Sequence, residues 1–245
     1  MTSLVHQVRA ALSAVADPVR APQMQAYMKS ALPYLGVTTP VRERALRPLF
    51  AGLELETAAA WRRAVLALWR GARFREERYA ALALCGLRRC EPYQDLAALP
   101  LYEELIVTGA WWDYVDEIAS HRLGGLLRRF PREMRRAMLA WSRCDDLWKR
   151  RSAILCQLTF KRETDLELLY AVIEPALDSR EFFLRKAIGW ALRQYAWSDP
   201  DEVRRYVRAN EGRLSGLSRR EALKNVGEGR PAAARLRRTP AAGSS

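Results

Sequence analysis

Side chains that bind transition metals are scarce in this sequence. It has two histidines and four cysteines, namely His6, His121, Cys85, Cys90, Cys144 and Cys156. No two of the cysteines have CxxC spacing, so an ordinary zinc cluster cannot be assembled. We expect no metal site, and we expect the cysteines to be buried thiols in a reducing compartment.

Long apolar runs and strand patterns are also missing. No run approaches the ~20 residues of a membrane span, and the N-terminus lacks the apolar core of a signal peptide. We therefore expect a cytoplasmic protein without a membrane segment. No stretch alternates apolar and polar residues as a half-buried strand does. Apolar residues recur instead about every 3.6 positions along nearly the whole chain, which predicts an all-α fold.

The predicted helices are similar in length and have short connections. They cover Leu4–Ala16, Val19–Leu35, Pro40–Leu49, Thr57–Trp69, Arg75–Arg89, Leu96–Val107, Ala110–Phe130, Pro131–Trp141, Asp146–Phe160, Asp165–Ala176, Arg180–Ala196, Pro200–Arg208 and Ser218–Val226. Such a series is typical of stacked helical hairpins and favours an α-solenoid over a globular bundle. We expect a single domain over residues 1–226.

Lysine is rare, and acidic residues are outnumbered. The chain has 41 Lys and Arg against 28 Asp and Glu, a formal net charge of +13. Only five of the cations are lysines, so 36 are arginines. Arginine suits bidentate phosphate contacts, although a GC-rich genome would explain the preference equally well. Codon usage does not explain the net charge, which favours a polyanionic partner such as nucleic acid.

One segment, EELIVTGAWWDYVDEIASH from Glu103 to His121, places aromatic and acidic residues together. Two tryptophans open a helix after a Thr-Gly break, and Trp112 and Asp116 lie four residues apart on one face. If Val115 and Ile118 face the core, this pair lies on the polar side. The pattern indicates an aromatic wall beside a carboxylate. Packing of Trp112 against a neighbouring helix and pairing of Asp116 with an arginine would also explain it.

A weak internal period connects this segment with two later helices. WKRRSAI from Trp148 aligns with FLRKAI from Phe183 at an offset of 35 residues, and the same offset places Asp116, Arg151 and Lys186 in register. In an α-solenoid the second helix of each hairpin lines the concave face. The register therefore predicts one acid and two bases on a common inner surface, although chance and helical packing would also produce such matches.

A basic tail, GEGRPAAARLRRTPAAGSS, covers residues 227–245 and has no apolar periodicity. We expect it to be disordered. Its arginines would add nonspecific attraction to DNA, or the tail is solvated and has no role.

Five stretches of the chain carry a family resemblance. They are QAYMKSALPYLGVTTPVRER from Gln25, LYEELIVTGAWWDYVDEIA from Leu101, LWKRRSAILCQL from Leu147, SREFFLRKAIGWALRQYA from Ser179 and LSRREALKNV from Leu217. Together they resemble the AlkD-type DNA alkylation repair glycosylases. The resemblance runs from the first helix to about Val226 and implies an α-solenoid of HEAT-like helical hairpin repeats with a concave basic surface.

The resemblance also implies an activity. Enzymes of this kind remove positively charged alkylated purines, such as 7-methylguanine and 3-methyladenine, from duplex DNA by hydrolysing the N-glycosidic bond. They use no cofactor and no base-reading pocket, which would also admit bulky adducts. By resemblance, Asp116 is the catalytic aspartate, and Trp112 and Trp190 face the sugar. We expect a monomeric monofunctional glycosylase in the bacterial cytoplasm, associated with the nucleoid.

We expect other charged and aromatic residues near this site to have different roles. By resemblance Arg151 is the active-site arginine, and because a cation would oppose the charge that develops on the sugar, we expect it to bind a flanking phosphate. Lys186 and Arg193 are further candidates for DNA binding. Trp111 is expected to pack against other side chains, and Asp113 is expected to be a helix-start carboxylate that the helix dipole favours.

A second DNA-binding region is predicted near the N-terminus. Thr39 can cap a helix that begins with proline, and the exposed N–H groups would form an anion site with Arg42 and Arg44 close behind. An ordinary capped surface helix is the alternative. Tyr27 and Lys29 match family positions near DNA, but each is equally explained as a solvated surface residue.

Two other functions fit a chain of helical repeats. One is a HEAT-repeat scaffold that binds DNA without catalysis, and the other is a protein-binding solenoid. A scaffold has no use for a carboxylate beside two tryptophans, where it only repels phosphate. A protein-binding solenoid has no use for the excess positive charge. The sequence therefore favours the glycosylase.

Overall fold

The computed structural model describes residues 3–226, which contain helices and no strand. The all-α prediction is confirmed for these residues. They divide into two compact units, with the boundary between Gly109 and Ala110. Within the described chain, no helix is long and apolar enough to span a bilayer. The single HEAT-like solenoid domain over 1–226 stays a prediction, and the predicted tail lies outside the described residues.

The first unit contains six α-helices within residues 3–109. They are α1 (Leu4–Ser13), α2 (Ala21–Met28), α3 (Thr39–Ala51), α4 (Ala58–Arg70), α5 (Arg75–Cys85) and α6 (Leu99–Gly109), with 3₁₀ turns at Arg88–Tyr93 and Leu96–Ala98. Helix α4 shows how the sequence builds this core. Trp61, Val65 and Leu68 recur at helical spacing, and all three are fully buried.

The prediction of one helix over Val19–Leu35 is wrong. Helix α2 ends where Lys29 adopts a left-handed conformation with φ of 48°, a backbone state that closes helices. The following loop is fixed from a distance, because the buried carboxylate of Glu76 accepts hydrogen bonds from the backbone N–H groups of Leu35 and Val37 at 3.0–3.1 Å. Local spacing does not show this contact, so the apolar pattern alone predicts too long a helix.

The second unit contains eight α-helices in its described part. They are α7 (Trp112–Glu117), α8 (Gly124–Arg129), α9 (Pro131–Trp141), α10 (Leu147–Leu155), α11 (Leu166–Ile173), α12 (Phe182–Ala196), α13 (Pro200–Ala209) and α14 (Gly216–Leu223). A π-helical turn over Ile118–Leu123 joins α7 to α8, and 3₁₀ turns lie at Lys161–Glu163 and Glu174–Ala176. The core packs α10 to α14 around buried aliphatic residues such as Ile154, Leu169 and Ile188.

Side-chain contacts at a spacing of 35 residues recur in the second unit. The pairs are Asp116 with Arg151, Arg128 with Glu163, Asp178 with Arg213 and Lys186 with Glu221. Such a spacing is expected where successive helical pairs of equal length pack side by side. The period predicted from the sequence therefore corresponds to physical contacts between residues in register.

Helix α14 approaches α12 closely at Gly189. A Cβ atom at this position would lie 2.5 Å from the Cβ of Glu221 and 2.9 Å from the carbonyl oxygen of Ser218. The Ser218 hydroxyl also donates a hydrogen bond of 2.9 Å to the carbonyl of Arg185. The missing side chain at Gly189 thus allows α14 to bring Glu221 against α12.

Candidate active site

A cavity of about 330 Å³ in the second unit gathers most of the predicted site residues. Its walls are Trp112, Asp116, Arg151, Phe182, Phe183, Lys186, Trp190, Arg193 and Glu221. These side chains come from α7, α10, α12 and α14, which are far apart in sequence. The fold therefore assembles in one place two tryptophans, two carboxylates and three cations.

Asp116 and Arg151 form a buried, bidentate ion pair at the centre of this set. Arg151 donates from Nε to Oδ1 and from Nη2 to Oδ2 of Asp116, both at 2.8 Å. The Asp116 side chain is only 12% exposed, and that of Arg151 only 5%. A third hydrogen bond runs from Nη1 of Arg151 to the carbonyl of Phe183 at 2.6 Å. The carboxylate is thus fixed in orientation by a cation that is itself anchored.

Burial raises the pKa of the Asp116 carboxyl above its ordinary value. Removal from water disfavours the charged form, and the nearby charge of Asp113 acts in the same direction. The hydrogen bonds and the charge of Arg151 oppose this rise. The ion pair with Arg151 therefore stabilises an ionised carboxylate at a buried position, where an unpaired carboxylate would destabilise the fold.

The aromatic residues of the site have two different roles. Trp112 and Trp190 are half-buried and line the cavity. Trp111 instead packs against Trp148 and Phe183, with ring centroids 6.2 and 5.6 Å away. The prediction that Trp111 packs with other side chains is confirmed, and its neighbour Trp112 is the tryptophan that reaches the site.

A second charge cluster lines the same cavity. Lys186 donates a hydrogen bond of 2.9 Å to Oε2 of Glu221, and Arg193 forms an ion pair with Oε1 of the same carboxylate. The hydrogen bond from Lys186 is the main cause that lowers the pKa of Glu221, and the charges of Arg193 and Lys186 act in the same direction. The side chain of Glu221 is 13% exposed. Both carboxylates of the cavity are thus held by cations from neighbouring helices.

The sequence of this chain also matches the model of a protein family. The model of the DNA alkylation repair enzymes matches residues 8–226, nearly the whole described chain. The chain belongs to this family. Membership implies a role in DNA repair with DNA as the substrate.

A solved structure is also similar. It is described as a predicted DNA alkylation repair enzyme from Enterococcus faecalis, and it shares 27% sequence identity with a TM-score of 0.70 over 87% of this chain and 98% of that one. A search of curated proteins gives no match. The likeness to the Enterococcus structure therefore extends over almost all of that chain.

Within this family fold, Arg151 is engaged differently from the prediction. We expected it to bind a flanking phosphate, but its guanidinium bonds to Asp116 and to the carbonyl of Phe183 and is almost completely buried. In this conformation it holds the catalytic candidate and not a phosphate. The spacing of 35 residues predicts that Asp116 and Arg151 lie on the same surface, but it does not predict that they are buried.

The predicted cap at the start of α3 is also corrected. Thr38, not Thr39, is the N-cap residue, and neither side chain caps the helix. Thr39 is exposed, and its hydroxyl accepts a hydrogen bond of 3.3 Å from Arg42. Arg42 also lies over the ring of Tyr79 at 4.8 Å, and burial lowers its pKa. The start of α3 therefore lacks the threonine cap that the sequence predicts.

The other DNA-binding candidates of the first unit are on its surface. Tyr27 is 78% exposed, and Lys29 and Arg44 are also exposed. Exposure is required for contact with DNA but does not demonstrate it. These residues stay predictions.

Sequence reasoning missed three residues of the cavity, namely Phe182, Phe183 and Glu221. Glu221 lies one further step of 35 residues after Lys186, so the period could have found it. Phe182 stands at the start of α12 and is 52% exposed, an unusual exposure for a phenylalanine. No sequence signal distinguishes it from the neighbouring Phe183, which is half-buried.

A larger cavity of about 470 Å³ lies in the first unit and lacks the chemistry of the site above. Arg42, Arg47, Arg88 and Arg89 surround apolar residues such as Phe50. Its single acidic side chain, Glu43, is exposed. In addition, no three His, Cys, Asp or Glu side chains within residues 3–226 are close enough together to hold a metal ion.

Proposed function

We propose that this protein is a monofunctional DNA glycosylase that excises cationic alkylated purines, such as 7-methylguanine and 3-methyladenine, from duplex DNA. One observation carries the proposal. A buried carboxylate, Asp116, is fixed by Arg151 in a cavity that is also lined by Trp112 and Trp190. Membership of a DNA repair family supports DNA as the substrate.

The chemistry begins with a base that is already a good leaving group. A purine alkylated at N7 or N3 is cationic, so when the bond to C1′ breaks, both bonding electrons pass to the base and it leaves neutral. Positive charge then develops on the deoxyribose. The carboxylate of Asp116 stabilises this charge, and as water adds to C1′ its proton passes to Asp116.

Arg151 positions Asp116 for these steps. Each carboxylate oxygen accepts one hydrogen bond from the guanidinium, and each has a further lone pair that can accept one from the attacking water. Arg151 weakens the field of Asp116 but keeps it ionised and in one orientation. In this proposal the sugar lies on the side of the carboxylate away from Arg151, so that the guanidinium does not oppose the oxocarbenium ion.

The two tryptophans select for charge and not for base shape. An aromatic face attracts a cation by about 0.5–2 kcal/mol, depending on how completely the pair is desolvated. Trp112 and Trp190 can therefore hold the sugar as its charge develops. None of the described residues that line the cavity is Asn or Gln, the side chains that read adenine by paired hydrogen bonds. Bulky cationic adducts are thus acceptable substrates.

DNA is bound in this proposal by cations and by exposed polar groups. Lys186 and Arg193 are the phosphate contacts beside the cavity. In the first unit the contacts are Tyr27, Lys29, Thr39, Arg42 and Arg44. The enzyme acts as a monomer in the bacterial cytoplasm, and no cofactor takes part.

The test is release of free 7-methylguanine from methylated duplex DNA under single-turnover conditions. We expect base release by the wild-type protein and an abasic site in the product strand. Tight binding of the same duplex without any base release would contradict the proposal and favour a non-catalytic DNA-binding scaffold.

A further inference from the structure

Glu221 is a carboxylate in a surface that is proposed to bind DNA, where a negative charge opposes binding. It bridges Lys186, at 2.9 Å from Nζ to Oε2, and Arg193, which pairs with Oε1. Both bases lower the pKa of Glu221, so it stays ionised at neutral pH. Because the negative charge of Glu221 repels phosphate, its presence in this surface suggests that it has a role in the site.

The two bridged cations lie on either side of Trp190. Lys186 precedes Trp190 by four residues and Arg193 follows it by three, so all three side chains share one face of α12. A single carboxylate from α14 therefore ties together the residues one turn before and one turn after the tryptophan. The close approach at Gly189 is what brings this carboxylate within reach.

Lys186 also shares the cavity with Asp116. Lysine is a flexible point charge, and without a partner it can turn towards another carboxylate. A cation paired with Asp116 on its open side would cancel the charge needed to stabilise the developing oxocarbenium ion. Glu221, on α14, is a partner for Lys186 that competes with Asp116.

We infer that Glu221 is a positioning residue, which holds Lys186 and Arg193 as DNA backbone contacts flanking Trp190 and keeps Lys186 away from Asp116. This inference rests on the proposed glycosylase function. Glu221 does not touch the reacting atoms and acts only through the two bases.

The first experiment compares Glu221→Gln with the wild type. Glutamine preserves shape but releases both bases, so we expect single-turnover excision of 7-methylguanine to fall by about tenfold or more, because a small misplacement of groups near the chemistry is costly. Affinity for duplex DNA should stay equal or increase. Asp178→Asn is the matched control, because Asp178 pairs with Arg213 at the same spacing of 35 residues but outside the cavity, and its rate should be unchanged.

The second experiment places Glu221→Gln in a Lys186→Ala/Arg193→Ala background. There the substitution should cause no further loss of rate, because the residues through which it acts are gone. A further loss of the same size would overturn the inference. If Glu221→Gln loses helicity by circular dichroism, Glu221→Asp keeps the charge, shortens the reach, and should also slow excision.

Binding of undamaged duplex separates this inference from the proposed function. Even if no base is released, Glu221→Gln should steepen the dependence of log affinity on log salt by about one phosphate contact, a slope change of about 0.9, because the two bases are then no longer partly neutralised by a carboxylate. The change should disappear in the background without the two bases. An unchanged slope in Glu221→Gln would overturn the inference, whereas loss of base release alone by the wild type would overturn only the glycosylase.

Discussion

At the scale of single residues, the site depends on a buried carboxylate that would be unstable alone. The carboxylate of Asp116 accepts one hydrogen bond on each oxygen, both from Arg151. Its neighbour Asp113 is half-buried in the first turn of the same helix, where the helix dipole favours a negative charge. Two aspartates three residues apart thus have different environments, and only Asp116 lines the cavity.

Asp116→Asn should slow excision of 7-methylguanine by a factor on the order of 10² or more, because the variant cannot stabilise positive charge on the sugar. DNA affinity should persist or increase, since a negative charge is removed. Asp113→Asn is the control and should cost only a few tenths of a kcal/mol of stability. Single-turnover rates for both variants, with helicity checked by circular dichroism, decide the assignment. Equal rates would disprove it.

Arg151→Met should destabilise the protein by about 3–5 kcal/mol, because it leaves Asp116 buried without a partner. Urea unfolding at neutral pH measures this loss. Adding Asp116→Asn should recover a large part of it, since the unpaired charge is then gone. If the two losses simply add, the ion pair is not the source of the effect.

The rate should also depend on pH through Asp116. Only the ionised carboxylate is active, and burial raises its pKa, so kcat/KM should fall on the acid side at a pH above the value of about 3.9 for an exposed aspartate. Asp116→Asn should lack this acid limb. Rates are corrected for spontaneous depurination of the same duplex. An acid limb that survives in the variant would assign it to another group.

At the scale of elements, the site depends on how closely helices pack. Helix α12 supplies Phe182, Phe183, Lys186, Trp190 and Arg193 to the cavity. Helix α14 supplies Glu221, because Gly189 has no side chain to keep the two helices apart. The π-helical turn after α7 is a further departure from regular helix, and such turns are frequent at functional sites.

Gly189→Ala should destabilise the protein by about 1–3 kcal/mol, because the added Cβ meets both a side chain and a backbone carbonyl of α14. Gly125→Ala in α8 is the matched control. Its added Cβ meets nothing within 4 Å, so it should gain about 0.5–1 kcal/mol from helix propensity. Thermal and urea unfolding of both variants measure the effect, and equal shifts would show that the packing at Gly189 is looser than described.

At the scale of the whole molecule, the excess of positive charge sets the interaction with DNA. The formal net charge is +13, and arginines supply most of the cations. Several of them are already paired, as Arg151 is with Asp116 and Arg213 is with Glu174 and Asp178. Net charge therefore indicates attraction to DNA, but the number of phosphate contacts depends on which cations remain free.

Affinity for duplex DNA should fall steeply with salt. With around six phosphate contacts the loss between 50 and 200 mM salt is on the order of 10³. Fluorescence anisotropy with undamaged duplex at several salt concentrations measures the slope. Asp178→Asn, which lies outside the cavity, should leave the slope near that of the wild type. A flat response would contradict phosphate-dominated binding.

The sequence by itself determined the all-helical class, the family and the 35-residue register. Helical periodicity depends on local spacing, and the register of Asp116 and Arg151 follows from a repeat that is visible along the chain. Charge balance is likewise a property of composition. These features need no knowledge of which helices pack together.

Only the tertiary structure decided the end of α2, the burial of Arg151 and the position of Glu221. Helix α2 stops where a loop begins that Glu76 binds from another helix, and Arg151 is buried because its charge is paired with Asp116. Glu221 reaches α12 because Gly189 has no side chain. Each of these depends on distance and burial between remote segments, which local spacing does not encode.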